Sequence, residues 1–387
     1  MPEPIYLDHA ATTPVRPEVL EAMQPFFGPR FGNPSSLHRW GREARAALDE
    51  ARERLATTLG AHPDELCFTS CGTEADNMAL IGVWRARRGE AGSRSAAVST
   101  PIEHKAVLAA LHEIAREGGE ERLLAVDSGG RVEFASFDEL VREDAAVCSV
   151  MWVNNEIGTV QDIPALAEHA RSRGVVFHTD AVQAFGKVDI DARRTPFDLL
   201  SISGHKIGAP KGIGALYIRR GTPMEPLLFG GSQDRGRRPG TENVAMAVGL
   251  ACAAEHAVAE REEECRRLET LRDRLEAAIL ARVPDAVIHG RNAPRAPHIS
   301  NVSVPGTESE SMLIALDLRG IACSAGSACQ SGSIEPSHVL DAVGVSADVA
   351  KAAIRFSLGA LTTDASIDRV AEVFPMLAEK ARRLATA

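Results

Sequence analysis

The sequence predicts an α/β protein: a large domain with a mostly parallel sheet sandwiched by helices, and a smaller α+β domain towards the C-terminus. Three observations indicate this. From about residue 64 to 220, short apolar runs alternate with helical stretches, as in strands joined by helical crossovers. After Pro284 the pattern changes to two strand-like runs among three helical ones. The 387 residues also exceed the size at which a single hydrophobic core stops growing, so two packed domains are expected.

The strands of the large domain are predicted from apolar runs that turn residues separate. These runs are 66–70, 96–100, 147–153, 175–179, 199–203 and 214–218. Helices are predicted between them, including 75–87, 106–116 and 163–173. In parallel sheets of this kind, ligands bind at the carboxyl ends of the strands. The residues that directly follow each run are therefore the candidates for a functional site.

Helical patterns lie on both sides of this block. Before it, eight apolar residues recur at helical spacing and form one stripe: Leu37, Trp40, Ala44, Ala47, Leu48, Ala51, Leu55 and Leu59. After it, residues 244–283 form a proline-free stretch, as one long helix or two, that joins the domains. The second domain is predicted to contain strands at 299–304 and 354–358 and helices at 309–318, 337–343 and 366–384. We expect the large domain to span 15–260, and the small domain to combine 1–14 with 261–387.

Composition favours a soluble protein of a reducing compartment. Hydrophobic residues make up 44% and charged residues 25% of the chain, which is ordinary for a globular protein. The net charge of −10, without any lysine/arginine block, argues against a nucleic-acid partner. No apolar run suits a membrane span, and the N-terminus lacks the pattern of a signal peptide. Seven scattered cysteines without CxxC spacing do not suggest a disulfide framework or a zinc site. We therefore expect a cytoplasmic protein.

Polar residues follow three of the predicted strands. Gly72 and Thr73 begin a helix, where free N–H groups and the helix dipole favour a phosphate; a capping box between Thr73 and Asp76, with no ligand, is the alternative. His104 could stack on a flat ligand or move protons, or it is an ordinary loop histidine. Asp180 could keep a pyridine nitrogen protonated, or it caps a helix.

Lys206 lies in a glycine-rich turn after the predicted strand 199–203. Only six of the 43 basic residues are lysines, so a lysine is not a default choice at this position. An amine in a partly dry site has a lowered pKa and can form a Schiff base, which arginine cannot. A plain surface lysine is the alternative. Together, a phosphate turn, a stacking histidine, a strand-end aspartate and a lysine on strands of one sheet are what a pyridoxal phosphate site needs.

Nine short motifs also occur in a characteristic order along the chain. They occupy residues 6–13, 32–36, 72–77, 154–158, 178–183, 203–206, 238–243, 326–329 and 354–359. In these motifs the chain resembles cysteine desulfurases of the NifS/IscS type, which belong to the class V aminotransferase family of fold-type-I pyridoxal phosphate enzymes. The resemblance covers nearly the whole chain. It implies an enzyme that converts L-cysteine to L-alanine and transfers the sulfur to its own cysteine as a persulfide, for iron–sulfur cluster assembly and other thio-cofactor pathways.

The resemblance also implies roles for individual residues. Lys206 would carry pyridoxal 5'-phosphate and move the Cα proton, His104 would stack on the ring, and Asp180 would pair with the ring nitrogen. Further cofactor contacts would come from Gly72, Thr73, Asn155, Gln183, Ser203, His205 and Thr241, of which Thr241 would belong to the other subunit of a homodimer. Arg355 would bind the substrate carboxylate as a two-pronged ion pair, assisted by Asn33 and Asn155.

Cys329 would be the nucleophile that takes the sulfur. It lies in the glycine- and serine-rich segment 323–335, which suits a thiolate that must enter a site and leave again. No intrinsic metal site is expected, but Cys329 would transiently contact a nascent iron–sulfur cluster. An iron–sulfur scaffold protein or another sulfur acceptor would be the partner. Cys71 and Cys323 lie outside the family pattern and are interpreted as packing residues.

Two other functions fit parts of the sequence. An aminotransferase or a selenocysteine lyase of the same fold would use Lys206, Asp180 and Arg355, but transamination does not require a cysteine in a glycine-rich segment. A metal or iron–sulfur carrier is chemically reasonable, because thiolates are soft ligands. It would leave Lys206 and Asp180 unexplained, and its ligands would be Cys67, Cys71, Cys323 and Cys329.

Overall fold

The computed structural model describes residues 4–89, 94–325 and 337–385. In these residues the strands are β1 Ile5–Tyr6, β2 Leu66–Thr69, β3 Ala96–Ser99, β4 Glu120–Leu123, β5 Ala145–Ser149, β6 Val176–Asp180, β7 Leu199–Ser203, β8 Gly214–Ile218, β9 Val287–His289, β10 Ile299–Ser303, β11 Ile321–Ala322 and β12 Ala353–Ser357. The helices are α1 Pro17–Met23, α2 Arg39–Leu59, α3 Gly72–Arg87, α4 Lys105–Arg116, α5 Phe134–Leu140, α6 Ile163–Ser172, α7 Val244–Ala259, α8 Arg261–Arg282, α9 Ser309–Asp317, α10 His338–Ala342, α11 Ala347–Ala350 and α12 Asp364–Ala385.

A seven-stranded sheet organises the first two-thirds of the chain, in the order β2-β8-β7-β6-β5-β3-β4. Strand β8 runs antiparallel to both of its neighbours, and the other neighbouring pairs are parallel. Helices cover both faces. Successive strand residues point to opposite faces, so Leu199 packs in the core under α3 and α4, whereas Leu200 packs in the core that contains α2 and α7. The prediction of a mostly parallel sheet between helices is confirmed.

A second, smaller sheet lies in the C-terminal part, as predicted for an α+β unit. It is antiparallel, in the order β12-β10-β9, and it shares a core with residues of α8, α9 and α12. Leu7, from the chain start, is buried in this same core. We propose on this basis the domain division expected from the sequence, with 1–14 and 261–387 in the small domain.

Residues 244–283 form two helices that meet at Glu260, which is one of the two arrangements expected. Several other element predictions need correction. The strand predicted at 147–153 is β5, which begins and ends earlier. The stripe predicted from Leu37 to Leu59 is buried only from Ala44 onwards: Leu37 precedes α2 and is 90% exposed, and Trp40 in its first turn is 52% exposed. Strand β4 and helix α5 had no strong apolar pattern and were not predicted.

No helix among residues 4–89, 94–325 and 337–385 combines the length and apolar character that a membrane span requires. The same residues contain no group of three or more histidine, cysteine, aspartate or glutamate side chains arranged to hold a metal ion.

Candidate active site

A cavity of about 580 Å³ opens at the carboxyl ends of the parallel strands. Strands β6 and β7 end in Asp180 and Ser203, and the turn after β7 carries Lys206. The N-terminal segment closes another side, because Ala10 and Ala11 also line the cavity. The structure brings ten of the predicted site residues together in this wall: Gly72, Thr73, His104, Asn155, Asp180, Gln183, Ser203, His205, Lys206 and Arg355.

Lys206 is held as an amine inside the cavity. Its Nζ donates hydrogen bonds to the carbonyl oxygens of Ala10 at 2.5 Å and Ala11 at 2.8 Å. Burial, with the positive charge of Arg355 as the second cause, lowers the pKa of Lys206 to about 8. A substantial neutral fraction near neutral pH makes this amine fit to attack an aldehyde and to transfer protons.

The start of α3 forms one end of the cavity and fits a phosphate group. The side chain of Cys71, at the N-cap position, makes no capping hydrogen bond, so the first-turn N–H groups remain open to an anion. The capping box considered for Thr73 and Asp76 is therefore wrong. The Ser203 hydroxyl is buried here without a hydrogen-bond partner among the residues described. Gly72 leaves the space free, since a Cβ at this position would lie 2.8 Å from Cγ2 of Val182.

Asp180 and His104 flank the middle of the cavity. Oδ1 of Asp180 accepts a hydrogen bond from the Val182 amide at 2.8 Å. Burial raises the pKa of Asp180, while the charges of His104 and Lys206 oppose this rise. His104 is the N-cap of α4, its Nδ1 accepting from the Ala106 amide at 3.2 Å. Although His104 is exposed towards the cavity, the surrounding protein removes enough water to lower its pKa.

Arg355 supplies a fixed positive charge at the opposite side. Its guanidinium is buried, with Nη1 donating to the Asn155 carbonyl at 2.8 Å and Nη2 to Oδ1 of Asp8 at 3.0 Å. Nε has no hydrogen-bond partner among the described residues. The backbone of Arg355 pairs with that of Ser324, which also lines the cavity. A planar guanidinium in this position suits a carboxylate ligand.

Two further polar residues tie the N-terminal segment to this wall. Nε2 of Gln183 donates to the Ala10 carbonyl at 2.9 Å. Nδ1 of His205 lies 3.2 Å from Oγ1 of Thr12. Burial, together with the charge of Lys206, lowers the pKa of His205 to about 4, so its ring is neutral at physiological pH.

Two of the predicted residues, Asn33 and Thr241, are not brought into this wall. Asn33 is exposed and its side chain caps the local turn, with Oδ1 accepting from the Ser35 amide at 2.9 Å. Thr241 lines a different depression, beside Thr69 and Ser70. Cys329 lies outside the described residues. The nearest described residues on the two sides of Cys329 that line the cavity are Ser324 and His338.

Several acidic residues of the site were not predicted from the sequence. Asp8, Asp76, Glu103 and Glu156 all line the cavity. Burial raises the pKa of Glu103 to about 8, and Oε2 of Glu156 accepts a hydrogen bond from the Ser337 hydroxyl. These four residues lie within the predicted motifs or directly beside a predicted site residue, which could have indicated a role in the site. An acidic residue at such a position is, however, more often a helix cap or an exposed surface residue.

The cysteines outside the family pattern have different surroundings. Cys323 packs against the core that the smaller sheet shares with α8, α9 and α12. Burial raises the pKa of its thiol to about 12, which agrees with a packing role. Cys67 is buried, and its pKa is raised by burial and by Asp234. Cys71 lines the cavity beside Gly72, a position that its interpretation as a packing residue did not anticipate.

Known proteins resemble this chain over nearly its whole length. The model of the aminotransferase class-V family matches residues 5–370. Cysteine desulfurase NifS of Azotobacter vinelandii is 47% identical over 377 residues, 97% of this chain and 93% of that protein. Cysteine desulfurase IscS of Dictyoglomus turgidum is 44% identical over 384 residues, 99% of this chain and 97% of that protein. A solved NifS-like protein superimposes with a TM-score of 0.89 at 35% identity and covers 99% of both chains.

Proposed function

Because the chain belongs to the class-V aminotransferase family and is a cysteine desulfurase that uses pyridoxal phosphate, we propose that the cavity around Lys206 is its active site. The observation that carries the proposal is the half-buried amine of Lys206, which lies in one cavity with the open first turn of α3 at Gly72, the carboxyl of Asp180 and the guanidinium of Arg355. These are the groups that a cofactor with an aldehyde, a phosphate and a pyridine nitrogen would need, together with an amino-acid substrate.

The fit of the cofactor rests on groups that otherwise lack partners. The open first turn of α3 and the unpartnered hydroxyl of Ser203 would hold the phosphate, with Thr73 and His205 beside them. Asp180 would face the ring nitrogen, His104 would stack on the ring, and Asn155 and Gln183 would lie beside it. When bound, pyridoxal phosphate withdraws electrons from an amino acid joined to it and weakens the bonds around Cα and Cβ.

Arg355 orients the substrate in this proposal. Its Nη2 donates to Oδ1 of Asp8 at 3.0 Å. The carboxylate of L-cysteine would bind to the same guanidinium beside Asp8. The unpartnered Nε of Arg355 offers a further donor for this carboxylate. Holding the carboxylate on one side and the amino group near Lys206 fixes the direction in which the cysteine side chain points.

Lys206 and Cys329 would divide the chemistry. Once released from the cofactor, the Lys206 amine would take the Cα proton of the substrate, a role that a pKa near neutrality favours. The Cys329 thiolate would attack the substrate sulfur, so that a sulfur–sulfur bond forms while the bond from Cβ to sulfur breaks. The electron pair stays on the carbon and is protonated, which leaves alanine and a persulfide. The support for Cys329 is that the flanking residues Ser324 and His338 both line the cavity.

We also propose a homodimer with composite sites. Asn33 and Thr241, the described site residues that do not line the cavity of their own chain, both lie near exposed apolar side chains. Asn33 follows Phe31, which is 71% exposed. Pro239, two residues before Thr241, lies close to Gly230: a Cβ on Gly230 would lie 3.0 Å from Cβ of Pro239. Phe229, the residue before Gly230, is 86% exposed. Large exposed apolar side chains mark interaction surfaces, so a second copy that covers them would bring Asn33 and Thr241 to its own cavity.

The sulfur would serve iron–sulfur cluster assembly and other thio-cofactor pathways in the cytoplasm, delivered to a scaffold protein or another acceptor. The support is the resemblance to NifS and IscS over the full chain and seven cysteines without the spacing of a disulfide framework. No nucleic acid or membrane takes part in this proposal.

The assignment of Lys206 is tested with purified holoenzyme and L-cysteine. Lys206→Ala should lose alanine and sulfide production, and borohydride should no longer fix the cofactor to the protein. Lys211→Ala is the matched control, because Lys211 lies five residues away and is exposed; it should behave like the parent. A reduced cofactor that maps to any lysine other than Lys206, or parental turnover by Lys206→Ala, would contradict the proposal.

A further inference from the structure

The sheet face under α3 carries a buried polar group, which we define as Asp76, Ser149, His178, Asp180 and Ser201. His178 and Asp180 are two residues apart in β6 and so share this face. Ser149 on β5 is the direct neighbour of His178, and Ser201 on β7 is the direct neighbour of Asp180. Asp76 projects from α3 into the same region, and its side chain is only 2% exposed. The mechanism proposed above uses Asp180 and leaves Asp76 without a role.

The hydrogen bonds of this buried polar group link His178 to a serine on each neighbouring strand. Burial lowers the pKa of His178 to about 3, so its ring is neutral and has one donor and one acceptor nitrogen. Nδ1 lies 2.8 Å from the Ser149 hydroxyl, and Nε2 lies 2.9 Å from the Ser201 hydroxyl. A hydroxyl can both donate and accept, so each serine satisfies the nitrogen that it faces. Ser201 is also a hydrogen-bond partner of Asp76.

This arrangement gives the Asp76 carboxyl one hydrogen-bond partner, Ser201, and leaves its other side bare. Oδ1 of Asp76 has no hydrogen-bond partner among the described residues. Its separation of 3.7 Å from Nε2 of His178 is too long for a hydrogen bond. A buried carboxylate oxygen without a donor is costly, whereas a protonated oxygen at the same place carries no charge to be compensated.

The charges around Asp76 act in the same direction. The neighbours that influence it are Asp180 of β6, Glu103 before α4 and Cys71 before α3; none of these carries positive charge. Asp180 differs, because His104, Lys206 and the Val182 amide all favour its charged form. Two buried carboxyls in one region do not both ionise readily, and the one with the weaker support keeps the proton. The dipole of α3 favours a negative charge at Asp76, but this effect is small beyond the first turn.

We propose that Asp76 is held as a neutral carboxylic acid, as a positioning residue that leaves the negative charge to Asp180, where it faces the cofactor's ring nitrogen. Asp76 forms a hydrogen bond with Ser201 and fills the space between α3 and the sheet without adding a second charge. The inference rests on the role proposed for Asp180. It adds the reason why Asp180 is the charged carboxyl of the pair: the neighbouring carboxyl of Asp76 stays neutral.

The charge of Asp76 is tested in the holoenzyme with Asp76→Asn, which has nearly the same shape as the neutral acid. Exchanging one neutral group for another should leave the pH midpoint of the bound cofactor's visible absorption close to parental. If Asp76 were a carboxylate, the same substitution would remove a charge, and the midpoint would move by roughly one pH unit or more. Such a shift would overturn the proposal.

An infrared measurement tests the proton directly, and it does not depend on turnover. At neutral pH the parent should show a protonated carboxyl band that shifts when the protein is labelled with isotopic aspartate. Asp76→Asn should remove this band, and Glu103→Gln should leave it, since Glu103 is a buried glutamate whose own pKa is raised to about 8 and whose band would not shift with labelled aspartate. Absence of a protonated aspartate band in the parent would overturn the proposal. A failure of the Asp180 assignment would look different: Asp180→Asn would keep the parental spectrum and kcat, whatever the infrared result.

Discussion

The pKa of Lys206 is set by burial and by a few nearby charges. Burial and Arg355 disfavour the ammonium form, and Asp180 and Asp8 favour it. Both carboxylates also interact with other groups: Asp8 contacts Arg355, and Asp180 would face the cofactor. A substitution at any of these residues therefore alters the others through charge, even where no direct contact is lost.

The pKa of Lys206 predicts how uptake of the cofactor depends on pH. Only the neutral amine attacks an aldehyde, and the pKa is lowered from 10.5 to about 8. The rate at which apoprotein binds pyridoxal phosphate covalently should therefore rise as pH increases through about 8 and level off above it. Stopped-flow absorbance measures this, with Lys211→Ala as the control that keeps the parental profile. A midpoint near the ordinary lysine value of ~10.4 would show that the amine is not desolvated.

The residues at strand ends were predictable from the sequence because an apolar run followed by a polar residue is visible there. Asp180, Lys206 and His104 were found in this way. Asp76 was not, because its meaning depends on which side of α3 faces the sheet. An acid four residues into a helix is usually solvated or a cap, and only packing against β6 and β7 makes it a buried partner of Asp180.

At the scale of elements, helix α3 connects the core to the cofactor site. Its buried side joins the apolar core over the sheet through residues such as Ala75 and Ala79, and its first turn opens at the cavity through Gly72 and Thr73. A strand followed at once by such a helix can be predicted, because the apolar strand and the helical spacing are both regular. Strand β4 lacked that signal: it is a sheet edge with the sequence Glu-Glu-Arg-Leu.

The start of α3 predicts the effect of adding one methyl group. In Gly72→Ala the new Cβ would lie 2.8 Å from Val182 Cγ2, and Val182 itself lines the cavity. Overpacking of this kind costs about 1–3 kcal/mol, so affinity for pyridoxal phosphate should fall roughly 10-fold or more. Gly89→Ala, near the other end of the same helix, meets no atom within 4 Å and should bind the cofactor normally. Equal affinities in the two variants, measured by equilibrium titration, would contradict the phosphate position.

At the scale of the whole molecule, the site extends beyond one chain in this account. A single chain supplies the Lys206 cavity, yet Asn33 and Thr241 lie outside its wall. Sequence alone could suggest this only through the family resemblance, because an exposed apolar residue has no distinctive local pattern. Leu37 illustrates the difficulty: it was predicted to lie on the buried stripe of α2 and is 90% exposed in the isolated chain.

The composite site predicts how assembly and activity are linked. Sedimentation should show a homodimer. The double substitution Phe229→Ser and Phe31→Ser should weaken it, because it removes two apolar side chains that the second copy would bury. Activity should fall in parallel with dissociation. Leu361→Ser is the control, an exposed apolar side chain of the second domain, and it should not change the sedimentation coefficient. A fully active monomer at high dilution would refute the composite site.

The central claim is that the Lys206 cavity activates the substrate while Cys329 takes its sulfur. The most direct test is the intact mass of the protein after reaction with L-cysteine, together with the alanine formed. The parent and Cys323→Ser should each gain one sulfur atom and form alanine, because Cys323 packs against the core of the smaller sheet and the pKa of its thiol is raised to about 12. Cys329→Ser should still bind pyridoxal phosphate and respond spectrally to L-cysteine, but gain no sulfur and release no stoichiometric alanine. Parental turnover by Cys329→Ser, or labile sulfur that maps to Cys323, would contradict the account.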